Sequence, residues 1–251
     1  MINSKDFVES LDKGLAIIEA FDTADSRLTL SEVAARVGIT RAAARRFLLT
    51  LSELGYARVD DRHFSLTPKV LVLSRSQLGG NATFQAVQAL LNQLAAKTAE
   101  SVSAAVMSGP DIVVVARATS PRPVSVHIAI GTRMPAFCTA MGRVLLGEME
   151  EAAVQQLLKL SPPRKLSELT RVDSREIVME TRRSHARGYA TSIGELDVGL
   201  NTLAVPVRTP QGADRLSIGL SVPAYRMSEQ ELVDTFLPEL QATAARLANL
   251  G

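Results

Sequence analysis

Between Thr29 and Gly55 the chain spells two short helices back to back, and no other stretch constrains the fold as tightly. The first segment, "TLSEVAARVGIT", places Thr29 and Glu32 at capping-box spacing and repeats Leu30, Val33, Ala34 and Val37 at helical period. Gly38 stands where a helix ends in the left-handed region, and Thr40 can cap the next start. The second segment predicts a helix from Arg41 to about Leu54, stopped by Gly55. At about 100° per residue, Ala44, Phe47, Leu48 and Leu51 share its core side. Ala42, Arg45 and Arg46 point the other way, and Arg41 sits on the flank of the first turn. Leu49 also falls on the outer face, for no reason visible in the pattern.

The outer face is unusual in its charge. After Thr40 the first acidic residue is Glu53, so the arginines have no i,i+4 partners. Cations at a helix N-terminus oppose the macrodipole, so Arg41 does not serve helix stability. Alanines let a helix backbone approach the floor of a DNA major groove, while arginines reach guanine edges or phosphates. Leu11, Leu15, Ile18 and Phe21 predict an earlier helix over Ser10–Phe21, and "YARVDDRHFSLT" reads as two short strands around a tight turn. Helix, helix, turn, helix, hairpin is the order of a winged helix-turn-helix. The candidate contacts to double-stranded DNA are Thr40, Arg41, Ala42, Arg45 and Arg46 on the helix, with Arg58, Arg62 and His63 on the wing. The competing reading is a solvated cationic helix in some other small bundle.

With 251 residues the chain can hold one large domain or two modest ones. A net charge of +2 is too small for a general affinity for polyanions, so any basic surface must be local. The single cysteine, Cys138, excludes an internal disulfide framework and suggests a reducing compartment. "MINSKDFVES" lacks an apolar h-region, and the longest strongly apolar run, "IVVVA", is too short to cross a bilayer. The expectation is a cytoplasmic protein with no membrane partner.

From Thr67 the pattern becomes apolar and helical, which predicts a connector with Val70, Leu71, Leu73 and Leu78 in need of cover, either from a second copy or from the wing domain. After Glu100 the period changes to two. "SVSAAVM", "DIVVVARAT" and "VSVHIAI" read as strands, followed by helices at "CTAMGRVLLGEM", "EAAVQQLLKL" and "DSREIVMETRRSHARG". "LAVPVRT" and "RLSIGLSV" form a hairpin, and a Ser228–Glu231 capping box opens a terminal helix. The fold class is α+β with an antiparallel sheet, divided into 1–67, a linker helix over 68–80, and 81–251.

Chemistry in the second domain is sparse. His63, His127 and His185 fall in three different elements without metal-ligand spacing, so neither a metal nor a cofactor is expected. Cys138 precedes a helix, where a thiol can be activated, but no partnering motif accompanies it and a small core residue is the better reading. The glycines of "GTRMPAF" and "GLNTLAVPV" match no phosphate-loop or dinucleotide fingerprint, which disfavours an enzyme. A binding pocket is better supported. "GTRMPAFCTAMGR" brings a proline-fixed segment onto a helix start near Cys138–Thr139, where free N–H groups can hold a carboxylate. The Thr139 hydroxyl serves either that site or only the helix cap.

The whole chain resembles the IclR family of bacterial transcriptional regulators, through "SLDKGLAIIEAF", "LSEVAARVGITRAAARRFLLTLSELGY" and "FSLTPKVLVL" in the first part. In the second, "GTRMPAFCTAMGRVLL", "RRSHARGYATSIGELDVGLNTLAVPV" and "LSIGLSVPAYRMSEQEL" carry the match. "TRAAARRFLLTLSELGY" is especially similar to the protocatechuate and 4-hydroxybenzoate branch, whose members control aromatic-acid breakdown. The resemblance implies a winged helix, a linker helix and a GAF-like effector-binding domain, assembled as homodimers or homotetramers, with RNA polymerase a partner if the protein activates. It implies a small carboxylate held at the helix start Thr139–Gly142, through Ala140 and Met141 by backbone, with Met134 as a wall and Ser192, Thr202 and Ser221 facing the ligand. Arg122, Arg133 and Arg143 are the arginines available to clamp the carboxylate. The alternatives are a repressor sensing a non-aromatic acid, an enzyme with a regulatory helix-turn-helix, and a purely architectural DNA-binding protein.

Overall fold

Among the described residues, three α-helices, a 3₁₀ helix and a small sheet build the first unit, Met1–Asn81, and a second unit spans Ala82–Gly251. The computed structural model describes residues 6–21, 26–74, 82–119, 128–208 and 216–249. In the first unit α1 (Glu9–Glu19) is followed by β1 (Leu28–Thr29), α2 (Leu30–Val37), α3 (Arg41–Glu53), β2 (Ala57–Asp60) and β3 (His63–Leu66). The capping box is complete: Glu32 N donates to Thr29 Oγ1 at 3.4 Å and Thr29 N donates to Glu32 Oε2 at 2.7 Å. Gly38 takes a φ of 71°, which reverses the chain, and Ala43 N donates to Thr40 Oγ1 at 3.2 Å to start α3. Ile17, Leu28, Val33, Leu48 and Phe64 close the core that holds the three helices and the hairpin together.

In this unit two features differ from the sequence-based expectation. β1 adds a third strand to the wing, giving the antiparallel order β1-β3-β2. Two residues are too few to show a period, and only pairing with β3 makes them a strand. The expected linker helix begins as a 3₁₀ helix over Pro68–Ser74, opened by Val70 N donating to Thr67 O at 3.2 Å. Residues 75–80, which include Leu78, lie outside the described residues.

The second unit starts with α4 (Ala82–Thr98), then β4 (Ser101–Ser108), β5 (Asp111–Ala118) and β6 (Arg133–Pro135). A 3₁₀ turn (Ala136–Cys138) leads into α5 (Ala140–Gly147), α6 (Glu151–Leu160) and α7 (Ser174–Arg187). β7 (Ala190–Ile193), β8 (Leu200–Val207), β9 (Leu216–Pro223) and α8 (Glu229–Ala248) complete it. The sheet is antiparallel in the order β6-β5-β4-β9-β8-β7. Leu91 and Leu94 of α4, with Leu232, Phe236 and Leu240 of α8, pack over Val102, Leu203 and Leu220 on one face. On the other face α5 lies against Ala190 and Ala204, and Leu145 and Leu146 meet Ile177 of α7 behind it.

The strand expected at "VSVHIAI" falls partly on Val124–His127, outside the described residues. Ile128–Ile130 are irregular, because Gly131, at φ 91°, turns the chain and donates to Val114 O at 2.7 Å. Among the described residues β6 forms that edge of the sheet. Asp173 caps α7 by accepting from Arg175 N and Glu176 N at 2.9 and 3.0 Å, and the Ser228–Glu231 box closes at the start of α8.

Candidate functional site

α3 buries Ala44 and Leu48 completely and leaves Arg41, Ala42, Arg45 and Arg46 exposed. The first turn holds no acid, and the three guanidinium groups have no ion partner among the described residues. On the hairpin, Arg58 Nε donates to Ser65 Oγ at 3.0 Å, while Arg62 is 87% exposed and 3.7 Å from Asp61. His63 is half-buried in register with Thr29 of β1. The structure therefore groups the α3 cations on one solvent face, puts Arg58 and Arg62 on the wing, and ties His63 into the sheet.

The second site is built around a glycine. A Cβ on Gly142 would fall 2.2 Å from Ala136 O and 2.3 Å from Ala136 Cα. Without one, the 3₁₀ turn packs directly on the first turn of α5. Thr139 caps that helix, with Gly142 N donating to Thr139 Oγ1 at 3.2 Å and Thr139 Oγ1 donating to Pro135 O at 3.1 Å. The cap role of the Thr139 hydroxyl is thus filled internally. The N–H groups of Ala140 and Met141 keep no partner among the described residues, as the first turn of any helix requires.

Opposite this helix start, the register of three neighbouring strands sets hydroxyls side by side. Ser192 pairs with Thr202, and Thr202 with Ser221. Ser192 Oγ donates to Cys138 O at 2.7 Å and Thr202 Oγ1 to Ser192 O at 3.4 Å; the Ser221 hydroxyl has no partner among the described residues. Gly219, two residues before Ser221, lets Met141 lie on the sheet, since a Cβ there would meet Met141 Cγ at 3.0 Å and Leu203 O at 2.9 Å.

Between helix start and sheet runs a narrow cleft with about 420 Å³ of empty volume, part of it open to solvent. Met134, Thr139, Ala140, Met141, Ser192, Thr202 and Ser221 all line it. Gly142 does not, because it is turned onto Ala136. Ile128, Leu196, Leu200 and Gly219 also line the cleft and were missed from sequence; of these only Gly219, a glycine inside a strand pattern, carried a signal. No charged side chain lines it among the described residues.

The arginines named from sequence go elsewhere. Arg143 is 1% exposed, and its guanidinium donates to Phe137 O, Thr191 O and Glu195 Oε2 at 3.1, 2.9 and 2.6 Å. It is a brace between three walls of the cleft. Arg133 bonds Ser108 and Asp111, and Arg122 lies outside the described residues. Cys138 is fully buried, and burial pushes its thiol up to about 12, which leaves it protonated and unreactive.

Residues 10–61 match the family profile described as the IclR helix-turn-helix domain, and residues 77–249 match bacterial transcriptional regulator IclR C-terminal. The chain belongs to the IclR family. Its members are transcriptional regulators, and the helix-turn-helix domain makes this IclR protein a DNA-binding one. It is 35% identical to the Pca regulon regulatory protein of Pseudomonas putida over 97% of this chain and 84% of that protein. It is 34% identical to the p-hydroxybenzoate hydroxylase transcriptional activator of Acinetobacter baylyi, over 99% of this chain and 94% of that protein. Its second unit has a solved relative in a double mutant of the PobR inducer-binding domain from Acinetobacter, in complex with 3-hydroxybenzoic acid. That structure is 28% identical with a TM-score of 0.62, covering 66% of this chain and 98% of the other. Among the described residues, no helix of this IclR protein is long and apolar enough to cross a membrane.

Proposed function

We propose that this protein activates genes of aromatic-acid catabolism in response to a small aromatic monocarboxylate. The observation that carries the reading is the row Ser192, Thr202, Ser221 facing two free helix N–H groups across an otherwise apolar cleft. The carboxylate sits at Ala140 and Met141 N–H, where the helix dipole favours an anion. The ring lies between Met134, Leu196 and Leu200, and a ring hydroxyl meets Thr202 or Ser221. With no cation in the described lining, a second carboxylate would be buried unpaired at a cost of several kcal/mol. The relatives named for the Pca regulon and for p-hydroxybenzoate hydroxylase, and the hydroxybenzoate bound by the PobR domain, support the same ligand class.

The protein works in the cytoplasm as a homodimer or homotetramer, with 1–67 on the operator, 68–80 as the linker and 81–251 as the sensor. Thr40, Arg41, Ala42, Arg45 and Arg46 face the major groove, and Arg58, Arg62 and His63 the flanking DNA. The effector favours one quaternary arrangement of the paired winged helices, and that arrangement recruits RNA polymerase.

Thermal melting of the purified protein against protocatechuate, 4-hydroxybenzoate, 3-oxoadipate and glyoxylate tests the reading. A ligand at 100 times its Kd adds about 2.7 kcal/mol, which raises Tm by a few degrees. One hydroxybenzoate should do so, and Ser221→Leu should abolish the response while operator binding persists. A shift with an aliphatic acid alone would remove the aromatic assignment and favour the non-aromatic branch of the family.

A further inference from the structure

The segment 134–139, which lines the effector cleft at its two ends, also walls a second cavity. Met134 and Thr139 face the cleft, whereas Pro135 and Phe137 of the same segment face the other space, together with Leu146 of α5 and Leu157 of α6. The second cavity encloses about 830 Å³ of empty volume, part of it open to solvent. We propose that it is a second, weaker site for a small aromatic monocarboxylate, coupled to the effector cleft through residues 134–139. The proposal takes its ligand class partly from the effector reading above.

The lining argues for that chemistry. Prolines and leucines share the lining with Phe137, a mostly buried aromatic side chain that a ligand ring can meet. Two charged residues border the space. Asp111 is neutralised by Arg133 at 3.2 Å, while Arg164 is exposed and has no ion partner among the described residues. A slot walled by prolines, leucines and Phe137, with Ser161 and one available guanidinium at its polar side, fits one ring and one carboxylate. The coupling follows from packing. Ala136 has no slack against Gly142, and Cys138 O holds the Ser192 hydroxyl at 2.7 Å. A ligand pressing on Phe137 therefore acts on the helix start and on the hydroxyl row together, and the effect must be reciprocal.

Isothermal titration of the full-length protein with 4-hydroxybenzoate tests this. Two events per chain are expected, the tighter in the cleft. Arg164→Gln and Leu157→Trp, one removing the cation and one filling the slot, should each lose the weaker event. Ser221→Leu should lose the tighter event and keep the weaker, with its Kd changed about fivefold or more because the coupled cleft is then empty. A single event that Ser221→Leu abolishes and neither cavity variant alters would overturn the second site and leave the effector reading standing. A single event lost in Arg164→Gln but kept in Ser221→Leu would do the reverse.

Discussion

Gly142 has no room for a side chain, and its sequence context does not reveal this, because the obstructing atoms belong to the backbone of Ala136. Gly142→Ala should destabilise the protein by about 1–3 kcal/mol, since the 3₁₀ turn must move off the helix. Urea denaturation would measure that, and a ligand titration should show weakened effector binding as the helix start shifts. Arg143 is another residue whose neighbours decide its role. Replacing it by Met leaves the buried Glu195 with only the half-exposed Arg171, at 3.8 Å, and that residue's backbone N–H, a loss of about 3 kcal/mol by denaturant unfolding. Glu148 gives a pH test. Burial alone would raise its carboxyl, but Arg208 at 2.6 Å and His185 at 3.1 Å together hold it below the ordinary value of 4.5. A carboxyl depressed in the folded state stabilises above its unfolded value and loses that contribution as pH falls through the folded one. Melting curves taken below pH 4.5 should therefore fall less steeply with acid in Glu148→Gln than in the parent.

At the scale of elements, what local chemistry specifies is visible in single segments. Both capping boxes, the left-handed Gly38 and the Thr40 cap follow from residues within four positions of each other, and all are present. The short strands β1, β6 and β7 were not legible: unlike β2 and β3, none of them is joined by a tight turn to a neighbouring strand in the sequence, and they exist as strands only through their partners. Leu49 stays 43% exposed, and nothing in the structure explains it. The arginine face of α3 carries the clearest test at this scale. Arg45→Ala and Arg46→Ala should each weaken operator binding in gel shifts while effector titrations stay unchanged. A lost base contact costs roughly 1–3 kcal/mol and relaxes specificity, whereas a lost phosphate contact lowers the salt slope by about 1. Normal shifts in both variants would count against α3 as the recognition helix.

For the whole molecule, regulation requires that two sites on different units share one free energy. If effector and operator are coupled, each must change the other's affinity by the same factor. Effector Kd measured with and without operator duplex, and operator Kd measured with and without effector, should give equal ratios. Unequal ratios at equilibrium would mean that the ligand acts on a later step, such as polymerase recruitment, rather than on occupancy.

The sequence by itself determined what depends on near neighbours: the helix boundaries, the exposed arginines, the change of period after Glu100, and the capped helix start at Thr139. Family resemblance, not spacing, singled out Ser192, Thr202 and Ser221. Only the tertiary structure decided that these hydroxyls line up, because strand register sets their alignment across three chain segments. It also decided that Arg143 is a brace, through a bond to a carboxylate 52 residues away, and that Ile128, Leu196 and Leu200 wall the cleft. Local hydrogen bonds and helical periodicity act within one or two turns and can be read along the chain. Register, burial and the pairing of buried charge arise from contacts between distant segments, and no single stretch of the chain contains them.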